Sequence, residues 1–101
     1  MADNDLNFEW DEKKRQKIIE ERGLDIVVLA PLVFADPNLV IKQDNRCDYK
    51  EERFLAYEIA EGLRLCVCFS FREKLIRLIT IFKLNKKDWG KHYENEKNDG
   101  K

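Results

Sequence analysis

The stretch RFLAYEIAEGLRLCVCFSFREKLIRLITIFK, residues 53–83, decides the fold. It contains three apolar runs, at residues 53–60, 63–71 and 75–83, that are rich in β-branched and aromatic side chains. The gaps between these runs, EG and REK, have the length of hairpin turns. A shorter apolar run, LVIKQ at residues 39–43, adds another strand upstream. The segment therefore predicts an antiparallel meander of about four strands.

Two helices are predicted before the meander. The alternating residues FEWD, 8–11, indicate a short edge strand, after which Asp11 can cap a helix that ends at Gly23. The segment LDIVVLAPLVFADP, residues 24–37, fits either a helix or a strand. Its length and the capping residue Asp25 favour a short helix, kinked near Pro31 and ended by the Asp-Pro pair.

The C-terminal segment KKDWGKHYENEK, residues 86–97, predicts a final helix, which Gly90 weakens by about 1 kcal/mol relative to Ala. The predicted class is α+β: N-terminal helices, then the antiparallel meander, then a C-terminal helix. We expect a single domain over residues 1–93 and a disordered tail at 94–101.

The charges are unevenly distributed along a chain that is nearly neutral overall. Nineteen basic and 20 acidic residues give a net charge of −1. Residues 72–92 alone contain seven basic and two acidic side chains, a local excess of +5. This excess fits a phosphate-binding patch, and it also fits the solvated face of a C-terminal helix.

The cysteine and histidine content predicts no metal site and no cofactor. The three cysteines, Cys47, Cys66 and Cys68, lack metal-ligand spacing, and His92 is the one histidine in the sequence. The acidic N-terminus does not look like a targeting peptide, and the apolar run at 26–35 is too short to cross a bilayer. We expect a soluble, cytoplasmic protein without membrane contact.

The two hairpin turns predict which residues face each other. A turn at Glu61–Gly62 pairs residues whose numbers sum to 123, and a turn at Glu73–Lys74 pairs residues that sum to 147. Arg53, Ser70 and Arg77 then form one row across three strands, with Arg72 at the neighbouring turn. A one-residue slip in the second turn would move Arg77 to the other face.

Two interpretations of this row remain open. Guanidiniums on either side of a hydroxyl could hold a phosphate by bidentate hydrogen bonds. The arginines could instead form ion pairs with Asp48, Glu51 or Glu52 of the preceding loop. The same register also predicts a second basic pair, Arg64 opposite Lys83, at the far end of the sheet.

The register gives the sheet two apolar faces. One face is nearly all apolar and must lie on the helices. The face that carries the arginine row is also too apolar for water, so the last helix or a second chain must cover it. Its apolar members are Leu55, Tyr57, Ile59, Cys66, Cys68, Ile79 and Ile81.

A series of short motifs runs along residues 8–93: FEWDEKK at 8–14, RGLD at 22–25, FADP at 34–37, DNRCDYKEERF at 44–54, then Arg72 and IRLIT at 76–80. In this order and spacing the chain resembles the BrnT family of small ribonuclease toxins, which have a RelE-like fold. The resemblance implies a toxin of a type II toxin–antitoxin pair that cleaves RNA without a metal and inhibits translation.

The resemblance also implies a partner and a site. The partner would be a BrnA-like antitoxin of the ribbon-helix-helix kind, in a heterotetramer that contacts DNA only through the antitoxin. Arg72 and Arg77 would stabilise charge on the phosphorane, Arg53 would orient it, and Glu51 would remove a proton. The residues implied or considered for RNA binding are Trp10, Lys14, Lys83, Lys86, Lys87 and Lys91.

The chain departs from the family pattern at position 82, where Phe82 stands in place of a usual arginine. Lys83 or Arg22 could supply the missing charge. The alternative is a degenerate, non-catalytic module that still binds its antitoxin and takes part in operon repression.

Trp10 and Trp89 could stack on bases, although core packing is favoured for Trp10. His92 and Tyr93 could act as a general acid pair or pack a helix end.

Overall fold

The computed structural model describes residues 7–44 and 51–91. Within them the elements are β1 (Asn7–Glu9), α1 (Glu12–Arg22), α2 (Ile26–Ala35), β2 (Val40–Gln43), β3 (Phe54–Ala60), β4 (Leu63–Arg72), β5 (Leu75–Lys83) and α3 (Lys86–Trp89). The predicted α+β class is confirmed.

The sheet differs from the predicted one in size and in strand direction. Its five strands lie in the order β1-β5-β4-β3-β2, and β1 runs parallel to β5. The prediction of about four antiparallel strands is therefore wrong for the sheet as a whole, although β2 to β5 are antiparallel to their neighbours. The helices α1 and α2 carry the chain from β1 at one edge to β2 at the other, and the meander then returns to β1.

Both N-terminal helices begin at the predicted capping residues. The Asp11 carboxylate accepts hydrogen bonds from the backbone N–H groups of Lys13 and Lys14, which satisfies donors that have no partner inside α1. Gly23 ends α1 with φ 68°, a left-handed conformation that suits glycine. The Asp25 carboxylate caps α2 through the N–H of Val27.

The predicted register is confirmed between β3 and β4, where every pair sums to 123. It is also confirmed at the turn end of β4 and β5, where Ser70 faces Arg77. A bulge between Cys68 and Phe69 then shifts the register, so that Cys68 faces Thr80. An extra residue in one strand cannot be found by counting from a turn, because that count assumes one-to-one pairing.

The bulge changes which residues of β5 share a face. Cys66 faces Phe82, where Ile81 was predicted, and Lys83 faces Leu65, so the predicted pair of Arg64 with Lys83 is wrong. Ile81 is fully buried with the residues that pack against α1 and α2.

The sheet is covered differently on its two sides. The helix side packs against α1 and α2, in a core of Ile18, Leu24, Ile26, Leu29, Ala30, Val33, Ala56, Ala60, Leu65, Val67, Phe69, Ile76, Leu78 and Ile81. The open side carries Leu55, Tyr57, Cys66 and Cys68, and Trp89 of α3 packs against them with 5% of its surface exposed. Of the two covers predicted for this side, the last helix and a second chain, the last helix contributes Trp89.

The predicted final helix is helical over the part that the structure describes. Its N-cap, Asn85, accepts from the N–H of Asp88, and α3 is followed by one π-helical step at Gly90 and Lys91. The rest of the predicted helix, including His92 and Tyr93, and the predicted tail at 94–101 lie outside the described residues.

Candidate phosphate-binding site

The predicted arginines lie at the turn end of the open side. Ile76 and Leu78 belong to the helix-side core, so the alternation of a strand places Arg77 between them on the open side. Ser70 faces Arg77 from β4, and Arg72 ends that strand. Arg53 directly precedes β3, where its backbone carbonyl accepts from the N–H of Asp44 at 2.8 Å.

A carboxylate that the sequence analysis missed completes this cluster. Because β1 runs beside β5, Glu9 stands in register with Arg77. The Glu9 Oε2 atom accepts a hydrogen bond from Arg77 Nη1 at 3.0 Å and lies 3.6 Å from Arg72 Nη1. Two guanidiniums from different strands thus converge on a single oxygen atom. We call these three residues the Glu9 cluster.

The alternation in FEWD indicated an edge strand, and this was the signal that could have led to Glu9. It did not say which strand would be the neighbour of that edge strand. The two charged residues are 68 positions apart in the chain, so no local pattern joins them.

The predicted alternative, ion pairing with the loop before β3, is confirmed for one arginine at long range. Glu51 Oε1 lies 3.9 Å from Arg72 Nε, which is an ion pair beyond hydrogen-bonding distance. Glu52 instead accepts from Gln43 Nε2 at 3.2 Å. Asp48 lies outside the described residues.

Ser70 does not form the exposed hydroxyl that a phosphate clamp would use. It is completely buried, and its Oγ atom has no hydrogen-bond partner among residues 7–44 and 51–91. A phosphate at the surface would therefore meet the guanidiniums of Arg72 and Arg77, which are 52% and 31% exposed, and not this hydroxyl.

The predicted RNA-binding lysines are exposed. Lys83 lies at the opposite end of β5 from the turn, about 20 Å from Arg77 along the strand. Lys86, Lys87 and Lys91 follow it in or beside α3, and Lys14 lies on α1. The basic excess of residues 72–92 is therefore not confined to the Glu9 cluster, since Lys83 lies far from it.

The two tryptophans lie in different environments. Trp10 is 37% exposed and donates from Nε1 to Glu12 Oε1 at 3.0 Å, so the predicted core packing of Trp10 is wrong. Trp89 is the buried one, because the open side of the sheet offers apolar contacts that Trp10, just beyond the edge strand, does not reach.

The position where the family pattern has an arginine contributes to packing. Phe82 packs against the open-side cluster that contains Trp89. Arg22, which could have supplied the missing charge, donates from Nη1 to Thr80 Oγ1 and to the Ile81 carbonyl, both at 2.9 Å. The Arg22 guanidinium is therefore hydrogen-bonded at the contact between α1 and β5.

A second arginine–carboxylate pair joins the two N-terminal helices. Arg15 donates to both carboxylate oxygens of Asp25, at 2.9 and 2.8 Å. The hydrogen bonds from Arg15 lower the pKa of Asp25 below its usual value, against the opposing effect of burial, and those to Asp25 and Glu12 raise the pKa of Arg15. Since Asp25 also caps α2, this pair has a structural role.

Two further findings concern the described part of the chain. No group of three or more histidine, cysteine, aspartate or glutamate side chains there is placed to hold a metal ion. No helix there is long and apolar enough to cross a membrane.

The fold and site define a small α+β protein with a cationic cluster at one end of an open sheet face. Comparison with protein families matches residues 10–88 to the model described as "Ribonuclease toxin, BrnT, of type II toxin-antitoxin system". The chain belongs to this family, as its sequence motifs predicted. Membership indicates a ribonuclease toxin with a protein antitoxin as its partner. Searches of curated proteins and of solved structures found no match.

Proposed function

We propose that this protein is an endoribonuclease toxin that cleaves RNA without a metal ion and thereby inhibits translation. The observation that carries the proposal is the convergence of Arg72 and Arg77 on one oxygen of Glu9. Side chains that meet at a single carboxylate oxygen are spaced to contact neighbouring oxygens of one phosphate. Family membership supplies the substrate class.

The two guanidiniums would stabilise the transition state. In the cleavage step, a ribose 2′-oxygen attacks the adjacent phosphorus, and negative charge builds up on the non-bridging oxygens. Arg72 and Arg77 offer hydrogen-bond donors in a fixed plane, so their contacts with the phosphate strengthen as this charge develops. Arg53, which precedes the neighbouring strand, would orient the phosphate from the side of β3.

Glu9 is the better placed of the two carboxylates for removing the proton. The attacking 2′-hydroxyl is on the ribose carbon next to the one that carries the phosphate. The group that removes its proton must therefore lie beside the residues that hold the phosphate, as Glu9 does. The 2′-oxygen forms a bond to phosphorus, its proton moves to Glu9, and the bond from phosphorus to the 5′-oxygen breaks. The leaving oxygen takes a proton from solvent. Glu51, predicted as the base, contacts Arg72 at the longer distance of 3.9 Å.

The exposed lysines would bind the flanking RNA. Lys83 lies at the far end of β5, so it would contact the backbone away from the scissile phosphate, and the exposed Lys86, Lys87 and Lys91 follow it in the chain. Lys14 and the exposed indole of Trp10 lie near the start of α1, just after the strand that carries Glu9. Stacking of a base on Trp10 would fit this position.

The antitoxin partner is proposed to be a BrnA-like protein of the ribbon-helix-helix kind. Resemblance of the sequence to the BrnT family supports it, as does the requirement for a protein antitoxin in a type II pair. Two toxins and two antitoxins would form a cytoplasmic heterotetramer. DNA would be contacted through the antitoxin only.

The packing of Phe82 favours a second candidate function. An aromatic side chain that is packed against the open-side cluster cannot offer the charge of the arginine usual at this position. The alternative is a degenerate toxin that binds its antitoxin and represses the operon without cleaving RNA.

Cleavage of RNA in EDTA tests the first function. We expect the purified protein to cut RNA and leave 2′,3′-cyclic phosphate and 5′-hydroxyl ends, and we expect Arg77→Ala to abolish most of this activity. Intact RNA, or cutting that requires an added divalent ion, would refute the proposed chemistry.

Growth after induction separates the two functions. An active toxin arrests growth, and translation slows before the cells stop dividing. A harmless wild-type protein that still captures its antitoxin would establish the degenerate module instead. Phe82→Arg is the informative variant in that case, since it restores the usual charge at this position.

A further inference from the structure

The second helix has an apolar surface on its outer face. All ten residues of α2 are apolar, whereas a helix at the surface of a soluble protein usually buries one apolar stripe and turns polar residues outward. Ile26, Leu29, Ala30 and Val33 form the buried stripe. Val28 is nevertheless 58% exposed and Leu32 is 43% exposed.

The exposed residues form a continuous stripe. Val28, Pro31, Leu32 and Ala35 are spaced by three, one and three positions, which places them on one face of a helix. We call them the outer stripe. α2 packs chiefly over β3, and Ile41 of the adjacent edge strand β2 faces Ala56 on the same side of the sheet. Ile41 is 45% exposed and extends the apolar surface toward that edge.

We propose that the outer stripe is the docking surface for an amphipathic helix of the protein antitoxin. The family requires a protein partner. Val28 and Leu32 are neighbours one turn apart, the spacing at which a partner helix inserts its own apolar side chains. This proposal rests on family membership and does not depend on the proposed cleavage chemistry.

A second copy of this chain fits the stripe less well. A two-fold contact centred on the stripe would bury mainly four side chains from each copy, of which Pro31 and Ala35 are small. A stable interface buries about 800 Å² on each partner. A separate antitoxin chain can meet this requirement, because it can continue from the stripe onto neighbouring surface such as Ile41.

The stripe and the Glu9 cluster lie on opposite sides of the sheet. Residues of the Glu9 cluster are on the open side, while α2 covers the helix side. Antitoxin binding and RNA cleavage should therefore be separable by mutation. Docking on α2 anchors the antitoxin, and a different part of it must reach the arginines to block them.

A double variant tests the proposal without weakening the helix. Val28→Glu and Leu32→Lys place opposite charges one turn apart, with the acid nearer the N-terminus, which stabilises a helix. The control is Ile59→Glu, which introduces a charge at a similarly exposed apolar residue (50%) of β3, directly after Glu58.

The partner in the test is the product of the open reading frame next to this gene, co-expressed and then purified. We expect V28E/L32K to raise the Kd for this partner about 100-fold or more, since two apolar contacts are lost. Thermal stability and growth arrest in the absence of the partner should match the wild type. I59E should keep wild-type affinity.

Four results would overturn the proposal. One is an unchanged Kd in V28E/L32K, and another is a wild type that does not bind this product at all. The third is a loss of affinity in I59E equal to that in V28E/L32K. The fourth is a wild-type dimer that V28E/L32K converts to monomers, which would identify a second copy as the occupant. If no variant cleaves RNA but the affinities follow the expected order, the docking surface stands and the proposed catalysis fails.

Discussion

Replacing Glu9 by glutamine tests the proposed site most directly. The substitution keeps the size of the side chain and an oxygen that can accept from Arg77, but it removes the charge and the ability to take a proton. In the folded protein Glu9 Oε2 lies 3.0 Å from Arg77 and 3.6 Å from Arg72. These side chains are 30–52% exposed, so the ion pairs contribute roughly 0.2–1 kcal/mol each to stability. Glu9→Gln should remain folded.

The effect on catalysis should be much larger than the effect on stability. Loss of a general base lowers kcat by about 10²–10⁴-fold. The KM for RNA should stay the same or fall, because a negative charge is removed beside a polyanion. If Glu9 only held the arginines in place, its replacement would instead raise KM. The acid limb of the pH–rate profile would then remain.

The assay is single-turnover cleavage of a labelled RNA in EDTA, measured across pH for the wild type and two variants. Glu51→Gln is the matched control, since it removes the other carboxylate near Arg72. A kcat for Glu9→Gln within about threefold of the wild type would refute the role of Glu9 as a base. A large loss in Glu51→Gln alone would restore the residue that the sequence analysis chose.

Three further predictions concern single side chains. Arg77→Ala should lower kcat/KM about 10²–10³-fold, and Arg77→Lys should lose less, because lysine keeps the charge but not the planar donors; the cleavage assay in EDTA measures both. Ser70→Ala should raise the free energy of unfolding by roughly 1–2 kcal/mol, seen as a higher Tm, since it removes a buried hydroxyl without a partner among the described residues; a lower Tm would show that the hydroxyl is satisfied. Asp25→Asn should destabilise the protein near neutral pH by about 1 kcal/mol, because it removes the charge paired with Arg15. The pKa of Asp25 is lowered by folding, so its stabilising effect is complete above the ordinary value of about 3.9 and is lost as pH falls through the lower folded value; denaturant titrations should therefore show the two proteins converging in acid.

The sequence alone determined the features that depend on near neighbours in the chain. Alternating apolar residues and two short turns predicted strands β2 to β5, and counting from the turns placed Ser70 opposite Arg77. Asp11 and Gly23 marked the ends of α1, because a cap is formed by a side chain and the backbone groups next to it. The family motifs were also recognised from the sequence without any structure.

Only the tertiary structure decided how distant segments meet. The parallel pairing of β1 with β5 brings Glu9 to Arg77 and supplies the candidate base, and no local periodicity encodes that pairing. The bulge beside Cys68 sends Phe82 to the open side, because one extra residue reverses the alternation of everything after it. The site therefore depends on the pairing of the first strand in the chain, β1, with the last, β5. The strands themselves follow from local sequence patterns.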